Sequence, residues 1–183
     1  MRKFNIFNST TTVHPSYRNS NSVVEVGIPL LMLKSIVNKT FITIGSGVLI
    51  LLVTLALAVK FKVALIMLPI SIYLIGQYFL LSNHITVIRN QRIVFDPKTN
   101  DVMIEYAGKN VFSFNLDRDI HSLNEFKSVQ KNDGVEFGYW QLNTQQITVN
   151  IPHIVTINPQ TKPFFDKLDR IDKQIETKLF PII

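Results

Sequence analysis

The residues best suited to chemistry in this chain are scattered. Four histidines, His14, His84, His121 and His153, stand apart from one another, and there is no cysteine. A metal site needs several His, Cys or carboxylate ligands at recognisable spacing, and no such spacing is written here. The seven glycines are dispersed, so no phosphate-binding loop is present; Gly45-Ser46-Gly47 falls inside a long apolar run. No serine has the surroundings of a hydrolase nucleophile. Asp117 and Asp119 flank Arg118 and read as a solvated turn. The expectation is a protein without catalytic residues, cofactor or metal.

Two places point to binding instead. Tyr139-Trp140 puts the only tryptophan beside a tyrosine in a strand-like segment. Neighbours on a strand face opposite ways, so one ring is expected in the core and the other free to anchor a partner. Gln77 is the one strongly polar side chain in the second of two apolar runs. It can bond to a neighbouring helix, to a partner, or to water at an interface. Gln77, Tyr139 and Trp140 are therefore the candidate partner-binding residues.

The elements that must carry these residues begin with the two runs. Residues 40–59 and 63–82 are each 20 residues long and uncharged. About 20 apolar residues in a helix cross a hydrocarbon core of about 30 Å. Neither run carries an evident polar stripe of helical period, as a helix on a soluble core would. Two transmembrane helices are expected. Lys60-Phe61-Lys62 between them is the tip of an antiparallel hairpin, because a lysine at mid-bilayer costs at least ~2.5 kcal/mol. Pro69 and Gly76 are tolerated in such a helix. Five basic residues flank the open end (Lys34, Lys39, Arg89, Arg92, Lys98) against two at the tip. The positive-inside bias then places both ends of the hairpin in the cytoplasm, with the domains divided as 1–38 leader, 39–82 hairpin and 83–183 soluble domain.

Charge excludes one function class. The net charge of +6 lies wholly in residues 1–82, which hold seven Lys/Arg and one acid; residues 83–183 hold twelve of each. The excess follows membrane topology and anionic lipid, so no nucleic-acid partner is expected. In the leader, residues 8–22 are Asn/Ser/Thr-rich and read as loop or disorder. Residues 23–37 are apolar but broken by Gly27 and Pro29. They suit either the membrane interface or a strand and short helix packed on the later domain.

From residue 83 the pattern becomes short β-branched and aromatic runs. "HITVIRNQRIVFDPKTNDVMIEYAG" reads as strand, bend, strand, turn, strand. Phe112, Phe114 and Leu116 share one phase and Val111 the other. "DIHSLNEFKSVQ" has apolar residues three apart, which suits a helix or a twisted strand. "KNDG" is a turn, and "VEFGYWQLN" and "QQITVNIP" alternate as strands. Then Phe164, Leu168, Ile171, Ile175 and Leu179 form one stripe, predicting an amphipathic helix over about residues 160–179.

Two apolar helices, then strands closed by a C-terminal helix, resemble bacterial membrane proteins with a pleckstrin-homology-like (PH-like) domain. "RIVFDPKTNDVMIEY", "FGYWQLNTQQITVNIP" and "FFDKLDRID" carry the resemblance, over roughly residues 40–180. The long leader and "NIPHIVTINP" depart from it. The resemblance implies a small mainly β barrel tethered to the inner membrane, used for binding or assembly, with no catalytic residue. The expected partners are the bilayer through residues 40–82 and a protein, or a second copy of the chain. A second class competes: two spans and a β-barrel also resemble ligand-gated effectors of bacterial cyclic-nucleotide anti-phage signalling. An open polar barrel interior would mark that class, and a core plugged by Phe164 would mark the first.

Overall fold

Pro29 closes an extended segment, and its fixed φ lets a helix begin directly after it. The computed structural model describes residues 23–107, 110–129, 131–132 and 135–183. The polar segment 8–22 with His14, and Asp133 and Gly134 of the KNDG turn, lie outside the described residues.

Strand β1 (Val24–Glu25) precedes helix α1 (Leu30–Ala58). A 3-10 turn (Lys62–Met67) leads into α2 (Leu68–Asn90). Both helices are long and apolar enough to span a membrane, and few of their residues are buried within the protein. Lys60 and Lys62 are exposed at the tip between them, as expected. The helices pack antiparallel: Ile36 clusters with Leu80 and Leu81, Phe41 meets Tyr78 at 6.5 Å, and Gly47 faces Ser71, Leu74 and Ile75. Both helices outrun the expected spans. α1 starts ten residues before Thr40, and α2 continues eight beyond Ser82. The segment "HITVIRN", read as a strand for its β-branched residues, is the last two turns of α2. Tertiary packing overrides propensity there: Ile85 and Ile88 lie against a buried cluster of Leu81, Phe137 and Ile154. Residues 23–37 resolve into β1 and the first turns of α1.

Strands β2 (Gln91–Asp96), β3 (Asp101–Tyr106) and β4 (Asn110–Asn115) follow as antiparallel neighbours, with β1 on the β2 edge. Arg92 pairs with Glu25 at 3.0 Å across β1 and β2. A second sheet is built from β5 (Ile120–Ser128), β8 (Tyr139–Thr144), β9 (Thr148–Pro152) and β10 (Gln174–Lys178), in the order β10-β5-β8-β9. A small hairpin, β6 (Lys131–Asn132) and β7 (Val135–Glu136), lies between β5 and β8 in sequence. The segment read as helix or twisted strand thus resolves as strand over Ile120–Ser128. No ladder joins the two four-stranded sheets among the described residues, so they form two layers, not a closed barrel.

Alternation fills the space between the layers. Ile93, Phe95, Val102, Ile104, Phe114 and Leu116 enter from the first sheet; Leu123, Trp140, Leu142, Val149 and Ile151 from the second. A short helix α3 (Lys162–Leu168) inserts Phe164, Phe165 and Leu168. Phe164 meets Phe95 edge-on at 5.3 Å.

The helix expected over residues 160–179 stops at Leu168. Its last turn tightens, with Arg170 N–H and Ile171 N–H donating to the carbonyls three residues back. Residues 174–178 then become β10, parallel to β5. Ile175 and Leu179 are exposed, not part of a buried stripe. Pairing along β5 satisfies backbone groups that a longer α3 would leave open at a sheet edge.

Candidate binding cleft at the end of the second sheet

On β5, Leu123, Glu125 and Lys127 share one face, and Glu125 stands opposite Trp140 of β8. That face is apolar at Leu123 and turns polar toward the strand end. His153 follows β9 and opens a 3-10 turn (His153–Ile157) that brings its ring under β8. Its approach depends on Gly138, since a Cβ there would lie 2.5 Å from His153 Nδ1 and would also strike the Phe126 carbonyl. Lys173 arrives just ahead of β10.

Glu125, Lys127, Trp140 and His153, with Glu136, Thr156 and Ile157, line a cleft of about 220 Å³. Glu125 is buried and ion-paired to Lys173 at 2.8 Å, with Lys127 at 3.7 Å. His153 lies between two carboxylates: Nε2 is 3.8 Å from Glu125 and Nδ1 is 3.6 Å from Glu136. The Trp140 ring is held between His153 (3.8 Å) and Phe165 (4.8 Å). Its Nε1–H is buried without a hydrogen-bond partner among the described residues.

Burial pushes the His153 imidazole down to about 3, and the nearby Lys127 and Lys173 charges act in the same direction. The ring is neutral at physiological pH. Unfolded, it takes a proton near pH 6.5; folded, it resists until about pH 3. Its contribution to stability is therefore complete above pH 6.5 and is lost as pH falls from there toward 3. The slope for one such group reaches about 1.4 kcal/mol per pH unit. The detergent-solubilised chain should melt at falling temperature on acidification, and His153→Gln should flatten that fall. Equal acid sensitivity in parent and variant would remove His153 as its source.

The Thr156 hydroxyl donates to the His153 carbonyl at 2.8 Å and is no poised nucleophile. Among the described residues no group of three or more His, Asp or Glu is placed to hold a metal. The cleft is also smaller than the roughly 300–1,000 Å³ of ordinary small-molecule sites. It suits a polar network with room for a few waters.

The residues singled out for partner binding are all buried. Gln77, Tyr139 and Trp140 are only 5, 6 and 7 % exposed. Tyr139 packs on Phe126 at 4.7 Å and edge-on to His84, joining the second sheet to α2. Trp140 is core, and Gln77 is buried on α2. The expected exposed ring is absent, because both faces of β8 are covered. His84 and His153 are buried too. Sequence spacing missed Glu125, His153 and Lys173 as neighbours, since three separate segments supply them. The one available signal was Glu125 in the apolar phase of its strand.

No protein-family model matches the sequence, and no curated protein or solved structure matches it.

Proposed function

We propose that the chain is a membrane-anchored binding and assembly module. Its hairpin crosses the bacterial inner membrane, and its β domain stands on the cytoplasmic face as an accessory subunit for a protein partner. One observation carries the anchoring: the hairpin is apolar outside and polar inside. Its buried positions include Thr40, Gly47, Thr54, Ser71 and Gln77, while Phe41, Ile42, Leu49, Leu52, Ile66, Ile72 and Phe79 are exposed. Small and polar residues at the seam, with large aliphatic ones outward, fit helices packed in lipid. In water the same face would be a far larger apolar patch than soluble monomers display.

Binding, not catalysis, is favoured by the inert cleft. The ligand-gated reading needs an open interior, whereas Phe95, Phe164 and Leu168 fill the space between the sheets. The two-layer domain capped by one helix keeps the PH-like resemblance as our reading of its ancestry. Its balanced charge favours protein over lipid headgroups as the domain's partner.

The orientation follows from the five basic residues at the domain end against Lys60 and Lys62 at the tip. In intact cells a membrane-impermeant thiol reagent should label Phe61→Cys and spare Val111→Cys, both at exposed positions in a cysteine-free chain. Labelling at 111 alone would invert the topology. Equal labelling of both in sealed cells would exclude a spanning hairpin.

A further inference from the structure

After β10 the chain does not stay with the β domain. The Val129 N–H closes the ladder on the Lys178 carbonyl, and residues 179–183 then turn back along α2. The Phe180 ring lies on Gly76, where a Cβ would sit 2.8 Å from Phe180 Cε1, and meets Tyr73 at 6.2 Å. His84 Nε2 donates to the Pro181 carbonyl at 3.1 Å. Asn83 makes two bonds to residue 183: Nδ2 donates to the Ile183 carbonyl at 3.1 Å, and Oδ1 accepts the Ile183 N–H at 2.8 Å. The Ile182 N–H donates to the Phe180 carbonyl at 2.9 Å.

We propose that residues 179–183, Leu-Phe-Pro-Ile-Ile, are a third membrane-contacting element, seated among the lipid chains beside α2. The proposal rests on the anchoring of the hairpin argued above. Three observations carry it.

The first is depth. Gly76 lies seven residues before Asn83, about 10 Å down the helix axis. It stands among residues whose neighbours Ile72 and Phe79 face outward. A segment packed on this stretch of α2 occupies the level that α2 occupies.

The second is surface. Leu179, Phe180 and Ile182 are exposed and continue the apolar outer face of α2. Residues 179–183 have no charged side chain, and the Lys178 ammonium group just before them lies 3.9 Å above the Phe126 ring.

The third is backbone chemistry. Non-helical chain in hydrocarbon must have its N–H and C=O groups satisfied inside the protein. From Phe180 onward, Pro181 has no N–H to satisfy, and the Ile182 and Ile183 N–H groups are both bonded. Three of the four carbonyls, those of Phe180, Pro181 and Ile183, accept. Asn83 and His84 supply most of these bonds. A polar pair directly after an apolar run has its explanation here, since an aqueous tail would bond to water instead.

The test uses the full-length cysteine-free chain in liposomes, with single cysteines carrying a polarity-sensitive fluorophore. Ile182→Cys is the probe site, at 58 % exposure; Ile72→Cys, at 61 %, is the hairpin control and Val111→Cys the aqueous one. Lipids spin-labelled in the acyl chain quench from within the membrane, and iodide quenches from water. The expected result is loss of fluorescence to the lipid quencher, not iodide, at 72 and 182, with the reverse at 111. Quenching of 182 by iodide while 72 responds to lipid would overturn the proposal and leave the anchor standing. If 182 escaped both quenchers while 72 responded to lipid, protein would cover the segment, a second copy being the first candidate, and the proposal would fall. Loss of lipid quenching at 72 would bring down the anchor and the proposal together.

Discussion

Leu168→Asp is expected to abolish the cooperative melting of the β domain while leaving the hairpin helical. Leu168 is fully buried at the end of α3, in the same cluster as Phe164 and Phe165. Losing a buried leucine costs about 2–5 kcal/mol through transfer and cavity. Burying a carboxyl group without a dedicated partner adds about 2 kcal/mol or more. The sum rivals the roughly 5–15 kcal/mol that hold a whole domain folded. α3 has only seven residues, so it has no second apolar face to offer instead. Two controls grade the effect. Leu168→Ala should lose only the cavity part. Asp169→Ala removes an exposed ion pair with Lys173 and should change stability by about 1 kcal/mol or less. Calorimetry and near-ultraviolet circular dichroism of the full chain in detergent read all three. A Leu168→Asp protein melting like its parent would mean that α3 is not packed between the sheets.

Gly138→Val should be nearly as damaging, for a geometric reason. The space beside Gly138 is occupied by the Phe126 carbonyl and by the His153 ring, with Cε1 2.7 Å from an added Cβ. Neither can yield cheaply. Phe126 belongs to the β5 ladder opposite Tyr139, and the His153 N–H donates to the Gly138 carbonyl at 2.8 Å. Overpacking of this kind costs typically about 1–3 kcal/mol, with backbone obstruction at the upper end. The substitution should also shift the emission of the single tryptophan, because Trp140 packs against the His153 ring. Gly27→Ala is the control, since nothing lies within 4 Å of a Cβ there. Parental melting and parental Trp140 emission in Gly138→Val would refute the close approach that builds the cleft.

These two effects differ in how far the sequence announces them. Leu168 stands in an apolar period with Phe164, so its burial was legible. Gly138 was legible only as one small residue in an alternating strand. The crowding beside it comes from β5 and from the turn after β9, which no local pattern links. Gln77 shows the same limit: its type was readable as a polar exception, but its burial depends on the neighbours that pack on α2. The cleft was not legible at all, because β5, β7, the turn at His153 and Lys173 meet only after the second sheet has assembled.

The sequence by itself determined what composition and short period can encode. Two uncharged runs with a lysine pair between them dictate a helical hairpin with an exposed tip. Alternation at Ile93–Phe95 and Val102–Ile104 dictates strands with one face inward, and Phe164 with Leu168 dictates a plug. The tertiary structure alone decided where the elements end and what they touch. "HITVIRN" became helix because Ile85 and Ile88 found Phe137 and Ile154. Residues 174–178 became strand because the edge of β5 offered backbone partners that a longer helix would have left unmet. Asn83 acquired its role from Ile183, one hundred residues away. A local period reports which side of an element is apolar; the free energy that selects its ends comes from neighbours brought together by the rest of the chain.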